Sequence, residues 1–489
     1  MSLLSSTASR AAGPSTFGRV AQLQKTVLSK TLPAEVASFQ QSRNKGTVPS
    51  QAGYLVKRKQ QSERKVKRTK VAMYRPLPPA QKTHPLLKAE VQNPVQLPKL
   101  EQDSLTSSEI VGQAAAFDLP TNDPLRVFGL PKNPLLEFRL LHKPFSVVRQ
   151  VTKDTVELLE KAKDLPSSQT RLVMTGKAGT GKSYLLFQAI EHCAKNEWLV
   201  VYIPRAINLV NNTSPYTYDI RTQTYLQPAY SFQTLQRMLT ANAELLSKIP
   251  LVEDIVLDAD GSKRAAEGNR VIKKGTPLSQ VIEVIIKERE KSRNVAAAPI
   301  FLEAVMKTLE RQKQYPVLLA VDDIQALYIR KSAYKDPHFQ AIKPYHLSLP
   351  RLLLEYASGI RSFQRGAFLS AVSTSAVQYP MPVELVDAIR TSLPAESPDV
   401  VRQKTIAEVT AAYAPRDKAL VRYAEGLKAL SMPEKFTLEE AASAYEVWKG
   451  QGTVRGNHYD EVFLAKYTES AGNPKDFIWK GLLASTDVA

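Results

Sequence analysis

The chain has 489 residues, 43% of them hydrophobic, which is enough to bury a large core spread over roughly two to four domains. Its 66 Lys+Arg against 47 Asp+Glu give a formal net charge of +19, and residues 1–110 alone hold 18 basic and 6 acidic side chains, so the excess sits on an N-terminal arm suited to a polyanionic partner, nucleic acid before others. The single cysteine, Cys193, excludes an internal disulfide, the scattered histidines have no zinc-binding spacing, and no apolar run reaches the roughly 20 residues of a membrane span.

The first 34 residues contain Arg10, Arg19, Lys25 and Lys30 and no acidic residue before Glu35. A Ser-rich, Arg-containing, acid-free start has the composition of a mitochondrial presequence; an ordinary basic tail is the alternative. The segment is read as a presequence over 1–34, followed by an extended basic and proline-rich arm over 35–135. Within that arm Lys57, Arg58, Lys59, Arg64, Lys65, Lys67, Arg68 and Lys70 face a single Glu63. Such a run repels itself in water, but on RNA it displaces condensed counterions. Tyr54 and Tyr74 flank it and are placed to stack on bases. These eight cations are the expected RNA-binding residues, giving affinity without sequence selection; a solvated linker is the competing reading. Ten prolines between Pro76 and Pro134 then suggest a chain that wraps over a surface.

The globular part is expected from about Leu136, as a nucleotide-binding domain over 136–395. Val148, Val151, Thr155, Leu158 and Ala162 predict a helix leading into a first strand, Arg171 to Thr175. A second strand runs from Trp198 to Ile203, a third from Val317 to Val321 and a fourth from Ala367 to Val372. Each is a short apolar run bounded by turn signals, as strands buried on both faces are. A polar insertion over about 205–315 shows two amphipathic helices, one on Leu278, Ile282 and Ile285, the other on Leu302, Val305, Met306 and Leu309, with a hairpin-like loop around Asp258 to Gly261. Residues 396–489 read as a smaller helical domain carrying Tyr445, Trp448, Phe463, Tyr467 and Trp479. Alternating strands and helices imply an α/β fold: a parallel sheet with flanking helices, of the P-loop NTPase, AAA+-like kind.

Gly176-Lys177-Ala178-Gly179-Thr180-Gly181-Lys182-Ser183 fits the pattern G-x-x-x-x-G-K-[ST]. Glycines permit backbone angles that turn the loop amides toward a phosphate, and the helix that follows adds its positive end. Lys182 is expected to reach the β- and γ-phosphates and Ser183 to place its hydroxyl on Mg²⁺; Tyr184 completes the nucleotide-contacting set. Asp322, at the end of the third strand, is expected to hold Mg²⁺ through water. Asp323 stands where many AAA+ ATPases carry the glutamate that polarises the attacking water. Its side chain is one methylene shorter, and a carboxylate displaced by about 1 Å loses on the order of 100-fold in rate, so slow or negligible hydrolysis is expected. Ser373, after the fourth strand, is a candidate γ-phosphate contact. Asn473-Pro474 opens a late helix with a capping residue and a first-turn proline, and Lys475 is then a candidate contact from the C-terminal domain.

Taken together, the GKAGTGKS loop, the Trp198 to Pro204 strand WLVVYIP, the VLLAVDD strand ending at Asp323 and the Glu469 to Pro474 segment ESAGNP resemble the mitochondrial small-subunit ribosomal proteins of the death-associated protein three family, in their fungal form. The resemblance spans about residues 125–485. It implies an AAA+-like fold, a bound purine nucleotide (GTP or GDP, with ATP also open) with Mg²⁺, and a place in the small subunit of the mitochondrial ribosome in the matrix. It also implies contacts with small-subunit rRNA and other mitoribosomal proteins, and with the large subunit through an intersubunit bridge. Two rival readings are an active mitochondrial AAA+ ATPase acting on nucleic acid or protein, with Arg361 or Arg365 as the arginine supplied to a neighbour, and a signalling switch of the apoptotic ATPase type.

Overall fold

The computed structural model describes residues 96–100, 109–141, 143–257, 270–292, 295–392, 414–450 and 459–483. The presequence expected over 1–34, the basic run over 57–70 and the tip of the loop around Asp258 to Gly261 lie outside the described residues.

Strand β1 (Ala114–Ala116), helices α1 (Pro124–Phe128) and α2 (Lys132–Leu140), strand β2 (Phe145–Val147) and helix α3 (Gln150–Ala162) precede β3 (Arg171–Thr175) and α4 (Lys182–Lys195). After β4 (Leu199–Ile203) the chain enters its long insertion: β5 (Thr217–Asp219), β6 (Thr224–Leu226), α5 (Pro228–Ala241), α6 (Ala243–Lys248), β7 (Ile255–Leu257), β8 (Arg270–Ile272), α7 (Leu278–Ser292) and α8 (Ala298–Arg311). It returns through β9 (Val317–Asp322), α9 (Ser348–Ser358), β10 (Gly366–Ala371), α10 (Val383–Ser392), α11 (Lys418–Ala424) and β11 (Lys428–Ser431). It then finishes in α12 (Leu438–Gly450), α13 (Asp460–Glu469) and the helical turns Pro474–Asp476 and Phe477–Leu482.

Five strands form one sheet in the order β11-β3-β10-β9-β4, with every pairing parallel. The apolar runs that marked these strands are buried on both faces; Val173, Met174, Leu318 to Val321 and Leu369 are all fully covered. In-register pairing sets Ser431 beside Thr175, Ala371 beside Asp322 and Ile203 beside Val321, so all five carboxyl ends meet at one edge. At the sheet's outer strand, Asn242 donates its side-chain amide to the Val200 carbonyl at 3.0 Å and accepts the Val200 N–H at 2.9 Å, so the insertion occupies the outward backbone groups of Val200 on that edge.

Four expectations need correction. Ordered structure starts before Leu136: Leu100 is fully buried, and α1 and β1 belong to the core. The buried face of α3 runs through Val151, Thr155, Val156, Leu159 and Ala162, while Leu158 is exposed. Among its described residues the insertion holds four α-helices and two antiparallel hairpins, not only the two helices legible from periodicity; β7 and β8 pair on either side of the undescribed loop tip. The C-terminal 90 residues are not purely helical, because β11 joins the central sheet beside β3. Nor do they have a private core: Tyr445, Trp448, Phe477 and Leu482 pack with Ala114, Leu141, Phe145 and Val147 from before the glycine loop. Among the described residues no helix is long and apolar enough to cross a membrane.

Candidate functional site

The turn between β3 and α4 carries Gly176, Gly179 and Gly181 at φ +142°, +83° and +94°, angles that side chains with a Cβ resist. Gly179 is also required sterically: a Cβ there would lie 2.4 Å from Asn473 Oδ1 and 2.9 Å from Lys475 Cβ. The Lys182 ammonium folds over the loop and donates to the Gly176 and Lys177 carbonyls at 2.8 and 2.6 Å. Burial lowers its pKa to about 8, and the nearby Asp322 opposes that shift.

Across the crevice, Ser183 donates its hydroxyl hydrogen to Asp322 Oδ2 at 2.7 Å. Asp322 is buried, and that burial, with the negative charge of Asp323 beside it, pushes its carboxyl up to about 7. Asp323 sits in the left-handed region at φ +59°, which aspartate tolerates better than most residues. Its carboxylate faces Arg205, with Nε–Oδ2 at 3.6 Å. Burial raises its pKa as well, and Arg205 counters the rise. Ser373 is locked through its backbone: Gln325, fully buried, accepts the Ser373 N–H and donates to its carbonyl, both at 3.0 Å, and the Ser373 and Ser375 hydroxyls lie 3.0 Å apart.

Most of these groups line one cavity of about 420 Å³; Gly176, which starts the turn, and Gln325 lie behind its wall. Its walls include Lys177's neighbours Ala178 to Tyr184, the Asp322-Asp323 pair, Ser373 and, from the C-terminal region, Lys475 and Ile478. The structure therefore brings Ala178, Gly179, Thr180, Gly181, Lys182, Ser183, Tyr184, Asp322, Asp323 and Ser373 together at the carboxyl edge of the sheet, where ligands bind in open α/β folds. Lys177 points elsewhere and pairs with Glu434 at 2.7 Å on the surface. Asn473 caps its helix as expected, accepting the N–H groups of Lys475 and Asp476 at 3.1 and 3.2 Å. Among the described residues no group of three or more His, Cys, Asp or Glu is placed to hold a metal ion by itself.

A family model described as mitochondrial ribosomal death-associated protein 3 matches residues 146–479, more than half of the chain, including the glycine-rich loop, Asp322, Asp323 and Ser373. The chain belongs to that family. The protein named small ribosomal subunit protein mS29 of Neurospora crassa is 25% identical over 381 residues, which is 77% of this chain and 75% of the relative. The proteins of the same name from Schizosaccharomyces pombe and Bos taurus are 26% and 30% identical over 51% and 50% of this chain, and the matches span 50% and 58% of those relatives.

In this member of the family, sequence reasoning missed several residues around the loop. Arg149, buried just ahead of α3, donates to the Thr180 carbonyl at 3.1 Å and the Lys435 carbonyl at 2.5 Å and pairs with Glu440 at 3.2 Å. A cation at the start of a helix opposes the helix dipole, and that misfit was the available signal. Glu137, also buried, accepts hydrogen bonds from the Tyr184 hydroxyl and, at 2.5 Å, from Trp479 Nε1. Arg205 follows Pro204 at the end of β4 and lines the cavity. The arginines singled out from sequence are elsewhere. Arg361 is held by Glu303 at 2.8 Å and Glu310 at 2.5 Å, and Arg365 by Asp164 at 2.6 Å, both near the amino end of β10. Arg365 also donates to the Lys163 and Lys313 carbonyls.

Proposed function

We propose that this chain is a structural protein of the mitochondrial small ribosomal subunit, resident in the matrix, that holds a purine nucleotide with Mg²⁺ and turns it over slowly or not at all. The names of its relatives support the ribosomal part of this reading. The observation that supports the nucleotide part is the convergence of Lys182, Gly179 and Gly181 at positive φ and the Ser183–Asp322 pair on one cavity at the sheet's carboxyl edge. These residues fit a triphosphate or diphosphate: a loop able to present amides, an ammonium, and a hydroxyl beside a carboxylate for a hard cation. On this reading the fold is that of an AAA+-like P-loop protein, with GTP or GDP the favoured ligand and ATP the alternative. The Mg²⁺ would be approached by Ser183 directly and by Asp322 through water. The basic run over 57–70 would follow small-subunit rRNA, other mitoribosomal proteins would surround the globular part, and a bridge to the large subunit would complete the assembly.

Slow turnover follows from Asp323. Its carboxylate is engaged by Arg205, and it is one methylene short of a glutamate. The ATPase reading loses its candidate arginines, since Arg361 and Arg365 are tied to carboxylates and carbonyls away from the cavity. The test is Lys182→Ala. Nucleotide extracted from purified protein falls from near-stoichiometric to a small fraction, and the thermal midpoint of the protein as purified falls with it, because a ligand bound only to the native state stabilises it by mass action. Full occupancy and unchanged melting in that variant would overturn the reading. Hydrolysis at several turnovers per second by the wild-type protein would favour the enzyme instead.

A further inference from the structure

The glycine-rich loop has six consecutive carbonyls, Gly176 to Gly181, and each has a donor. Those of Gly176 and Lys177 receive the Lys182 ammonium at 2.8 and 2.6 Å, and that of Gly181 receives the Leu185 N–H at 3.0 Å as the first turn of α4. The middle three are supplied from outside the loop. Asn473 Nδ2 donates to the Ala178 carbonyl at 2.9 Å, the Lys475 N–H to the Gly179 carbonyl at 3.0 Å, and Arg149 Nη1 to the Thr180 carbonyl at 3.1 Å. A trans peptide points its N–H opposite to its C=O. Fixing these three carbonyls therefore fixes the amides of Gly179, Thr180 and Gly181 on the side away from the donors.

The donors belong to one unit. Asn473 and Lys475 open the last helical turns, and Arg149 is itself held by that region, through the carbonyls of Pro433 and Lys435 and the carboxylate of Glu440. Gly179 is the contact point: no side chain fits between the loop and Asn473.

We propose that Asn473 and Arg149 are positioning residues which set the anion-binding loop from behind, so that docking of residues 432–450 and 459–483 and affinity for the phosphates are linked. The proposal rests on the nucleotide reading above. Linkage is reciprocal: whatever docking contributes to phosphate affinity, bound phosphate returns to docking. The C-terminal segment is then a reporter of occupancy that need not touch the phosphates.

The test separates this role from ordinary helix capping. Asn473 does two things: its Oδ1 caps the helix and its Nδ2 holds the loop. Serine keeps the first, being a good capping residue, and is neutral but too short for the second. Full-length wild type and Asn473→Ser are titrated with GTP in Mg²⁺, and amide exchange of Phe477–Leu482 is followed with and without GTP. Wild type binds and its C-terminal amides slow on binding. Asn473→Ser melts like wild type without nucleotide, binds about fivefold more weakly and shows reduced slowing at saturation. Arg149→Lys, which keeps the charge but loses the fork, weakens binding by about tenfold. Wild type and Asn473→Ser with equal affinity and equal slowing would overturn the inference alone. A wild type that binds no GTP would overturn the nucleotide reading and this inference with it.

Discussion

The two edges of the central sheet use their charged side chains in opposite ways. At the amino edge the arginines are tied to carboxylates and carbonyls. Arg171 donates to the carbonyls of Ser168, Ala357 and Glu425, Arg361 is held among Glu303, Glu310 and Glu355, and Arg365 by Asp164 and neighbouring carbonyls. Glycines there make room for close packing, since a Cβ on Gly426 would lie 2.1 Å from Arg171 Nη2. At the carboxyl edge Lys182 and Asp322 are buried and Asp323 half-buried, with their charges incompletely balanced, and burial shifts all three pKa values against the charged form. A charge paired with its opposite holds structure; a buried charge short of a counter-charge is one that a ligand can complete.

The sharpest way to break this comparison is at the amino edge. A Cβ at Gly366 would lie 2.0 Å from the Val317 carbonyl oxygen, at φ +132°. Gly366→Ala is expected to cost at least about 3 kcal/mol, read from urea unfolding. Wild-type stability in that variant would remove the distinction between edges. Arg361→Gln comes next. It leaves Glu303, Glu310 and Glu355 without their cation, costing roughly 2 kcal/mol, while nucleotide affinity and any residual hydrolysis stay at wild-type values. A selective loss of turnover would return Arg361 to the site.

Asp322→Asn probes the other edge. Nucleotide affinity in Mg²⁺ is expected to fall about tenfold and to lose most of its sensitivity to EDTA, measured by titration with and without the chelator. A variant that keeps full Mg²⁺ dependence would place the cation elsewhere. The smallest effect concerns Asp123, which caps α1 and is raised to about 8 by burial and by the charge of Glu191. The native state keeps this proton between about pH 4 and 8, while the unfolded chain has released it, so stability falls as pH rises through that window. Asparagine caps as well as aspartate and has nothing to titrate. Asp123→Asn is expected to flatten the decline and to gain on the order of 1 kcal/mol at pH 8, with nucleotide affinity unchanged. It sharpens the comparison, because a shifted pKa away from the sheet's carboxyl edge then marks packing and not a binding site.

What the sequence disclosed follows the same division. The loop and the strands at its flanks were legible because local rules write them: glycines at fixed offsets, apolar runs of strand length, an acid at a strand end. The partners that set the loop were not legible. Arg149 and Asn473 reach Thr180 and Ala178 across 31 and 295 residues, and no periodicity encodes a contact of that separation. The strand β11 was lost for a related reason. Lys428-Ala-Leu-Ser431 is short, half polar and exposed at its ends, as suits a sheet's border but not the buried-strand pattern used to find the others. The early start of the core, at Leu100, was masked by prolines whose extended chain still packs; Lys195 ties that segment down through the Leu100 carbonyl at 2.7 Å.

The position of β11 also bears on how the chain is made. Thr175 and its neighbours on β3 stay a bare ladder on one side until residues 428–431 have left the ribosome, more than 250 residues later. A nascent chain with strands β3, β4, β9 and β10 complete thus presents an unpaired flank beside the glycine turn, open to pairing with other chains. The last helices, which follow β11 by only a few residues, then arrive together with the strand that seals it. Completion of β11 and closure of the sheet are in effect a single event, and truncation before residue 428 is expected to yield aggregation before it yields a binding defect.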